Sequence, residues 1–150
     1  MANERALPRF AAVGAGRMGR GIAIAFAYAG HRISLIDLRP RSDEAWHRLR
    51  DEAKAEIEAS LAGLSQLGVI DAQQIPAIAA RVAFVKAAAA PAALAAAELV
   101  FEGVPETMEA KREAFEQLNR HCRDDAILTS TTSSIPVSYT HLTLPTNREV

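Results

Sequence analysis

Cysteine is nearly missing from this chain. One thiol, Cys122, in 150 residues excludes an internal disulfide framework and points to a reducing compartment, the cytoplasm. A basic surplus is missing too: seventeen Lys and Arg against eighteen Asp and Glu leave a formal charge of −1. A protein that grips a nucleic-acid backbone needs clustered cations to displace counterions, so that partner class is excluded. Long apolar runs are absent. The segments from Gly21 to Gly30 and from Ala87 to Ala97 are Ala-rich and fall short of the roughly 20 residues a bilayer requires, so no membrane partner is expected. No charged stretch followed by an apolar one opens the chain, and no secretory signal is read. Metal-ligand spacing is lacking as well, with no H-x-x-x-H and no carboxylate cluster. What the chain does have is apolar bulk. Hydrophobic residues make up 49% and charged residues 23%, enough for the core of one ordinary domain.

Short apolar runs alternate with helical patterns. Phe10 to Val13, Ile33 to Asp37, Val82 to Val85, Leu99 to Val104 and Ala126 to Ser130 read as strands. Between the first two, Met18, Ile22 and Phe26 fall four apart on a helix from Arg17 to Ala29, and Gly30 is its stop. Ser42, with Asp43 and Glu44 behind it, opens a long helix at the end that favours acids. Its apolar stripe is Trp46, Leu49, Ala53, Ile57, Leu61 and Leu64. Shorter helices follow near Asp71 to Ala80 and Pro91 to Ala97. In a later helix Met108, Phe115, Leu118 and Cys122 mark the inner face, with Lys111, Arg112 and Glu116 outside. Strands alternating with helices predict an α/β fold: a Rossmann-type doubly wound parallel sheet, with a long helical arm after the second strand.

The chemistry-bearing motif is Gly14-Ala15-Gly16-Arg17-Met18-Gly19, a G-x-G-x-x-G with a strand before it and a helix after it. Gly14 permits the sharp turn, Gly16 lets a pyrophosphate approach the backbone, and Gly19 lets the helix pack close to the strand. Free N–H groups at the start of the helix then hold the phosphates. Asp37 stands eighteen residues past Gly19, at the end of the second strand. A carboxylate there accepts both ribose hydroxyls of an adenosine and repels a 2′-phosphate, which favours NAD. Arg39 and Arg41 beside it are the residue type that partners a 2′-phosphate, so NADP stays open from these residues alone.

Three motifs together resemble the 3-hydroxyacyl-CoA dehydrogenases, including the bacterial 3-hydroxybutyryl-CoA type. The first is Val13 to Ala23, the second Leu99-Val-Phe-Glu-Gly-Val-Pro-Glu106-Thr-Met-Glu-Ala-Lys111, and the third Ser130-Thr131-Thr132-Ser133-Ser134. In the third, Thr131 replaces the family's usual Asn. The resemblance implies oxidation of a (3S)-3-hydroxyacyl-CoA to the 3-oxo product with NAD as hydride acceptor. It implies that Glu106 and Lys111 contact the nicotinamide half and that Ser133 orients nicotinamide and the substrate hydroxyl. It also implies that the arm contributes to an acyl-CoA site through Ser60, although the lysine sometimes found seven residues later is Leu67 here. The family's general base is a histidine about twenty residues beyond the position of Ser133, held by a glutamate, followed by a helical dimerisation domain. His31, His47, His121 and His141 do not match that base.

The expected organisation is therefore a dinucleotide-binding domain over 1–137, with 1–8 a flexible lead, and without the helical domain that makes the family a homodimer. The tail 138–150 is polar and aperiodic. It resembles translated sequencing adapter found at the ends of metagenomic reading frames; a linker is the alternative. On this reading the chain itself is inactive. A 3-hydroxyisobutyrate or 6-phosphogluconate type dehydrogenase also opens with G-x-G-x-M-G. It is disfavoured by Asp37 and by the helix from Ser42 to Leu67. A non-catalytic nucleotide-binding module is the alternative from another class.

Overall fold

The five apolar runs form one parallel sheet. In the computed structural model, which describes residues 8–135, the strands are β1 (Phe10–Val13), β2 (Ile33–Ile36), β3 (Val82–Val85), β4 (Leu99–Glu102) and β5 (Ile127–Ser130). Their order across the sheet is β3-β2-β1-β4-β5. Phe10 pairs with Ile33 on one side and Leu99 on the other, and Val13 with Ile36 and Glu102. The chain thus winds outward from β1 to β3, then returns past β1 to form β4 and β5. That reversal leaves a crevice between the carboxyl ends of β1 and β4, the place where open α/β sheets bind ligands.

Parallel neighbours require crossovers, and five helices supply them: α1 (Arg17–Tyr28), α2 (Asp43–Gln66), α3 (Ile75–Ala79), α4 (Ala90–Ala96) and α5 (Met108–His121). Strand alternation sends side chains to two cores. Ala12, Ile33 and Leu35 face α1, α2 and α3 and pack with Ala23, Ile57 and Leu61. Ala11, Val13, Ile36 and Val100 face the other way and pack with Leu94 of α4 and Phe115 and Leu118 of α5. The doubly wound sheet predicted from the sequence is the fold observed.

The arm is the longest element. Ser42 caps α2, its Oγ accepting the Ala45 N–H at 3.2 Å, and the 24 residues span about 36 Å at 1.5 Å per residue. Trp46, Ala53, Ile57 and Leu61 of its stripe are buried, and each fully buried large side chain contributes about 1.5–3 kcal/mol. Leu49 and Leu64 are half-buried. The arm therefore lies against the domain, near α1 and α3.

Three features differ from the sequence reading by more than one terminal residue. The inner stripe of α1 is Gly19, Arg20, Ala23 and Ala27, while Met18 is 53% exposed. Small residues let α1 sit close on the sheet, so the larger side chains at 22 and 26 pack at its flanks. β4 stops at Glu102: the Gly103 N–H still donates to Val13 O of β1 at 2.8 Å, but the Val104 N–H leaves the ladder for the Glu102 carboxylate at 2.7 Å. The predicted helix over Asp71 to Ala80 divides into a 3-10 turn, Ala72–Gln74, and α3. The tail 138–150 lies outside the described residues, as does most of the lead.

Candidate cofactor site

The glycine loop closes the sheet at the crevice. Gly14 follows β1 with φ +99°, a conformation L side chains rarely adopt, and a Cβ on it would lie 2.8 Å from Gly103 O. A Cβ on Gly19 would lie 1.8 Å from Gly14 O. These two glycines are therefore demanded by the fold itself: the loop, α1 and the end of β4 touch backbone to backbone. Gly16 differs. Its backbone is extended, and a Cβ there would meet nothing within 4 Å. The fold leaves that space open, which is what a ligand approaching the loop requires. No side chain caps α1 and no acid stands in its first turn, so its leading N–H groups and positive dipole end remain for an anion.

A cleft of about 960 Å³ runs along these groups. One end is bounded by Leu38, Arg39, Pro40 and Arg41 after β2, with Asp37 at its wall. Asp37 is buried; its carboxylate accepts from Arg41 Nε at 2.5 Å and the Arg39 N–H at 3.4 Å. Gly103 to Glu106 line the middle, and Thr131 and Ser133 are also in the lining.

A charged cluster adjoins the cleft at the ends of β4 and β5. Glu102 is fully buried. Its Oε1 accepts from Val104 N–H at 2.7 Å and Lys111 Nζ at 2.9 Å, and its Oε2 accepts from Ser130 Oγ at 2.5 Å and Lys111 Nζ at 2.9 Å. Lys111 reaches Glu106 Oε2 as well, at 3.2 Å. Glu106 Oε1 in turn gathers the following loop, accepting from Thr132 Oγ1 at 2.7 Å, Ser133 N–H at 2.9 Å and Ser134 N–H at 3.0 Å. The Thr132 hydroxyl foremost, then the Ser134 and Ser133 amides and Lys111, hold the Glu106 carboxyl far below the usual carboxylate range.

Residues 9–149 match the family model of the 3-hydroxyacyl-CoA dehydrogenase NAD-binding domain. The chain belongs to this family. It is 31% identical over 135 residues to a probable 3-hydroxybutyryl-CoA dehydrogenase of Bacillus subtilis, covering 90% of this chain and 43% of that protein. Among solved structures, FadB2 of M. tuberculosis superposes with a TM-score of 0.77 at 29% identity, over 92% of this chain and 45% of that one. The 3-hydroxybutyryl-CoA dehydrogenase from Escherichia coli K12 gives 0.72 at 33% identity, over 89% and 26%. The chain thus spans less than half the length of these proteins, and its fold is that of the family's NAD-binding domain.

Within that domain, the structure brings most of the expected residues to one cleft. Gly14, Ala15, Gly16, Arg17, Met18, Asp37, Glu106 and Ser133 all line it, with Gly19 locked beneath the loop. Lys111 does not lie outside α5 as expected; it is buried, because Glu102 and Glu106 draw the ammonium inward. Ser60 stands apart. It is on the exposed side of α2, its hydroxyl donating to Glu56 O at 2.9 Å, and it is not among the cleft-lining residues. Two residues passed over in the sequence belong here. Glu102 sits at the end of a strand, where a carboxylate reads as solvent-facing. Arg20 is buried in the cleft wall, its Nε donating to Ala15 O at 2.9 Å and its guanidinium paired with Glu52 and Glu56 of the arm. Its signal was positional, since it precedes Ala23 and Ala27 at steps of three and four on the buried face.

Proposed function

We propose that this chain is the cofactor-holding part of a dehydrogenase that oxidises a (3S)-3-hydroxyacyl-CoA, in particular 3-hydroxybutyryl-CoA, to the 3-oxoacyl-CoA. The observation that carries the reading is a single cleft lined by an uncapped glycine-loop helix, the buried Asp37 carboxylate, Glu106 and Ser133, with the Lys111–Glu102 pair adjoining it. Together with the family match, this constellation favours a dehydrogenase over a plain nucleotide-binding module.

The residues fit NAD. The open space at Gly16 and the free first turn of α1 suit a pyrophosphate. Asp37 suits the two ribose hydroxyls and repels a 2′-phosphate, and its Oδ2 accepts from Nε of Arg41. When bound, NAD supplies the hydride acceptor of the reaction. Glu106 and Lys111 hold the nicotinamide half, and Ser133 offers a hydroxyl toward the substrate's 3-oxygen. The lining of the cleft among the described residues includes no histidine: His31 packs edge-on against Phe10 at 5.1 Å, and His47 and His121 are on α2 and α5. The general base that takes the hydroxyl proton is therefore proposed to come from chain beyond the described residues, in a cytoplasmic homodimer of the family's length.

A chimera tests this. Residues 8–135 replace the matching part of the Bacillus subtilis relative, and NADH formation from 3-hydroxybutyryl-CoA is followed by absorbance. Turnover by the chimera, with little or none by the 150-residue chain, is expected. A chimera that folds and binds NADH yet oxidises no 3-hydroxyacyl-CoA contradicts the reading.

A further inference from the structure

Glu102 has no part in the chemistry just described, yet it is among the most enclosed charges of the described residues. Its side chain is 0% exposed and Lys111 beside it 5%. Enclosing an ion pair is costly, and an apolar pair of similar volume often stabilises a fold equally well or better. Here the buried carboxylate has a specific set of partners. It binds the Val104 N–H on the cleft wall, Lys111 on α5, and Ser130 at the end of β5. Its backbone carbonyl accepts the Thr131 N–H at 2.9 Å, and the Ser130 hydroxyl accepts the Thr132 N–H at 3.1 Å. From the other side, Glu106 holds residues 132 to 134. Lys111 bridges the two carboxylates.

We propose that Glu102 is a positioning residue for the nicotinamide end of the cleft. Through Lys111 and Ser130 it sets where the Glu106 carboxylate and the Ser133 loop stand relative to the glycine loop. The inference rests on the NAD reading above. It predicts a division of labour: the adenylate half of the ligand is held by the glycine loop and Asp37, and the nicotinamide half depends on the joint at Glu102.

The 150-residue chain is titrated with NADH and with ADP-ribose, which lacks the nicotinamide. Wild-type protein is expected to bind NADH more tightly than ADP-ribose. Glu102→Gln keeps the size and loses the charge; Ser130→Ala removes one hydroxyl from the end of an edge strand and spares the buried pair. Each should lower NADH affinity by about three- to tenfold, the scale of one lost hydrogen bond, and leave ADP-ribose affinity unchanged. Ser130→Thr, which keeps the hydroxyl, should restore the NADH value. A merely structural role predicts equal losses for both ligands, or melting-temperature changes with no loss in either; each result overturns the proposal. So does a wild-type chain that binds both ligands equally, which would leave the dinucleotide reading standing. Failure of the wild-type chain to bind either ligand overturns both.

Discussion

Gly16 and Gly19 are three residues apart in one motif, and the structure predicts opposite consequences for filling them. A Cβ on Gly19 would lie 1.8 Å from the Gly14 carbonyl oxygen, so even Gly19→Ala must push α1 away from β1. Overpacking of this kind costs about 1–3 kcal/mol, and backbone contact puts it at the upper end. For a domain of this length, that is roughly a 5–15 °C fall in melting temperature, at about 4–5 °C per kcal/mol. A Cβ on Gly16 would meet nothing within 4 Å, and the backbone there is extended. Gly16→Val should therefore cost only about 1 kcal/mol, the scale of replacing a favoured N-cap residue by an apolar one. Its methyl groups would, however, occupy the approach to the helix N-terminus. Losing one or two charge-assisted bonds to a pyrophosphate costs about 1.5–3 kcal/mol each, at least a tenfold weaker complex. Differential scanning fluorimetry and NADH fluorescence titration on both variants measure the two effects separately. Wild-type NADH affinity in Gly16→Val would refute the placement of the pyrophosphate. A fully stable Gly19→Ala would refute the packing argument.

Asp37→Ala should weaken NADH about tenfold and narrow the preference over NADPH, because Arg41 is released from its 2.5 Å bond and Arg39 stays beside the site; competitive titration of the two nucleotides measures it, and an unchanged preference contradicts the role given to Asp37. Lys111→Met leaves the Glu102 carboxylate buried without its cation and should destabilise by about 3–5 kcal/mol, while adding Glu102→Leu should recover much of the loss in urea unfolding; a single variant as stable as wild type would show the pair to be hydrated. Glu106 has a depressed folded pKa, so its stabilising bonds are complete above the ordinary value of 4.5 and are lost as pH falls through the folded value. Glu106→Gln should accordingly flatten the decline of melting temperature below about pH 4.5, and parallel profiles for the two proteins would remove Glu106 from the acid response.

Much of this was legible in the residues, and the exceptions have physical causes. Strand runs, the glycine loop, Asp37 and the Ser42 cap depend on local chemistry, so their sequence signatures survive folding. The charged cluster depends on contacts across the sheet. Glu102 meets Lys111 nine positions later and Ser130 twenty-eight later, and periodicity alone cannot pair them. One trace was present: Lys111 precedes Phe115 by four and Leu118 by seven, which sets it on the buried stripe of α5. A cation on an apolar stripe signals a buried partner. Reading it as a solvated charge followed residue type and overlooked position. Ser60 differs in kind: its role comes from the resemblance alone, and in the structure it is exposed on α2 with its hydroxyl donating to the helix carbonyl one turn back.

The central claim is that the crevice between β1 and β4 holds a dinucleotide, with its phosphates at α1 and its two ends at Asp37 and at Glu106. Amide chemical shifts of isotope-labelled chain, followed through a titration with NAD, test it most directly. The account predicts saturable shifts concentrated in residues 14 to 19, 37 to 41, 103 to 106 and 131 to 134, with α3 and α4 unmoved. Saturable binding whose shifts fall elsewhere, or no shifts at millimolar NAD, would contradict it.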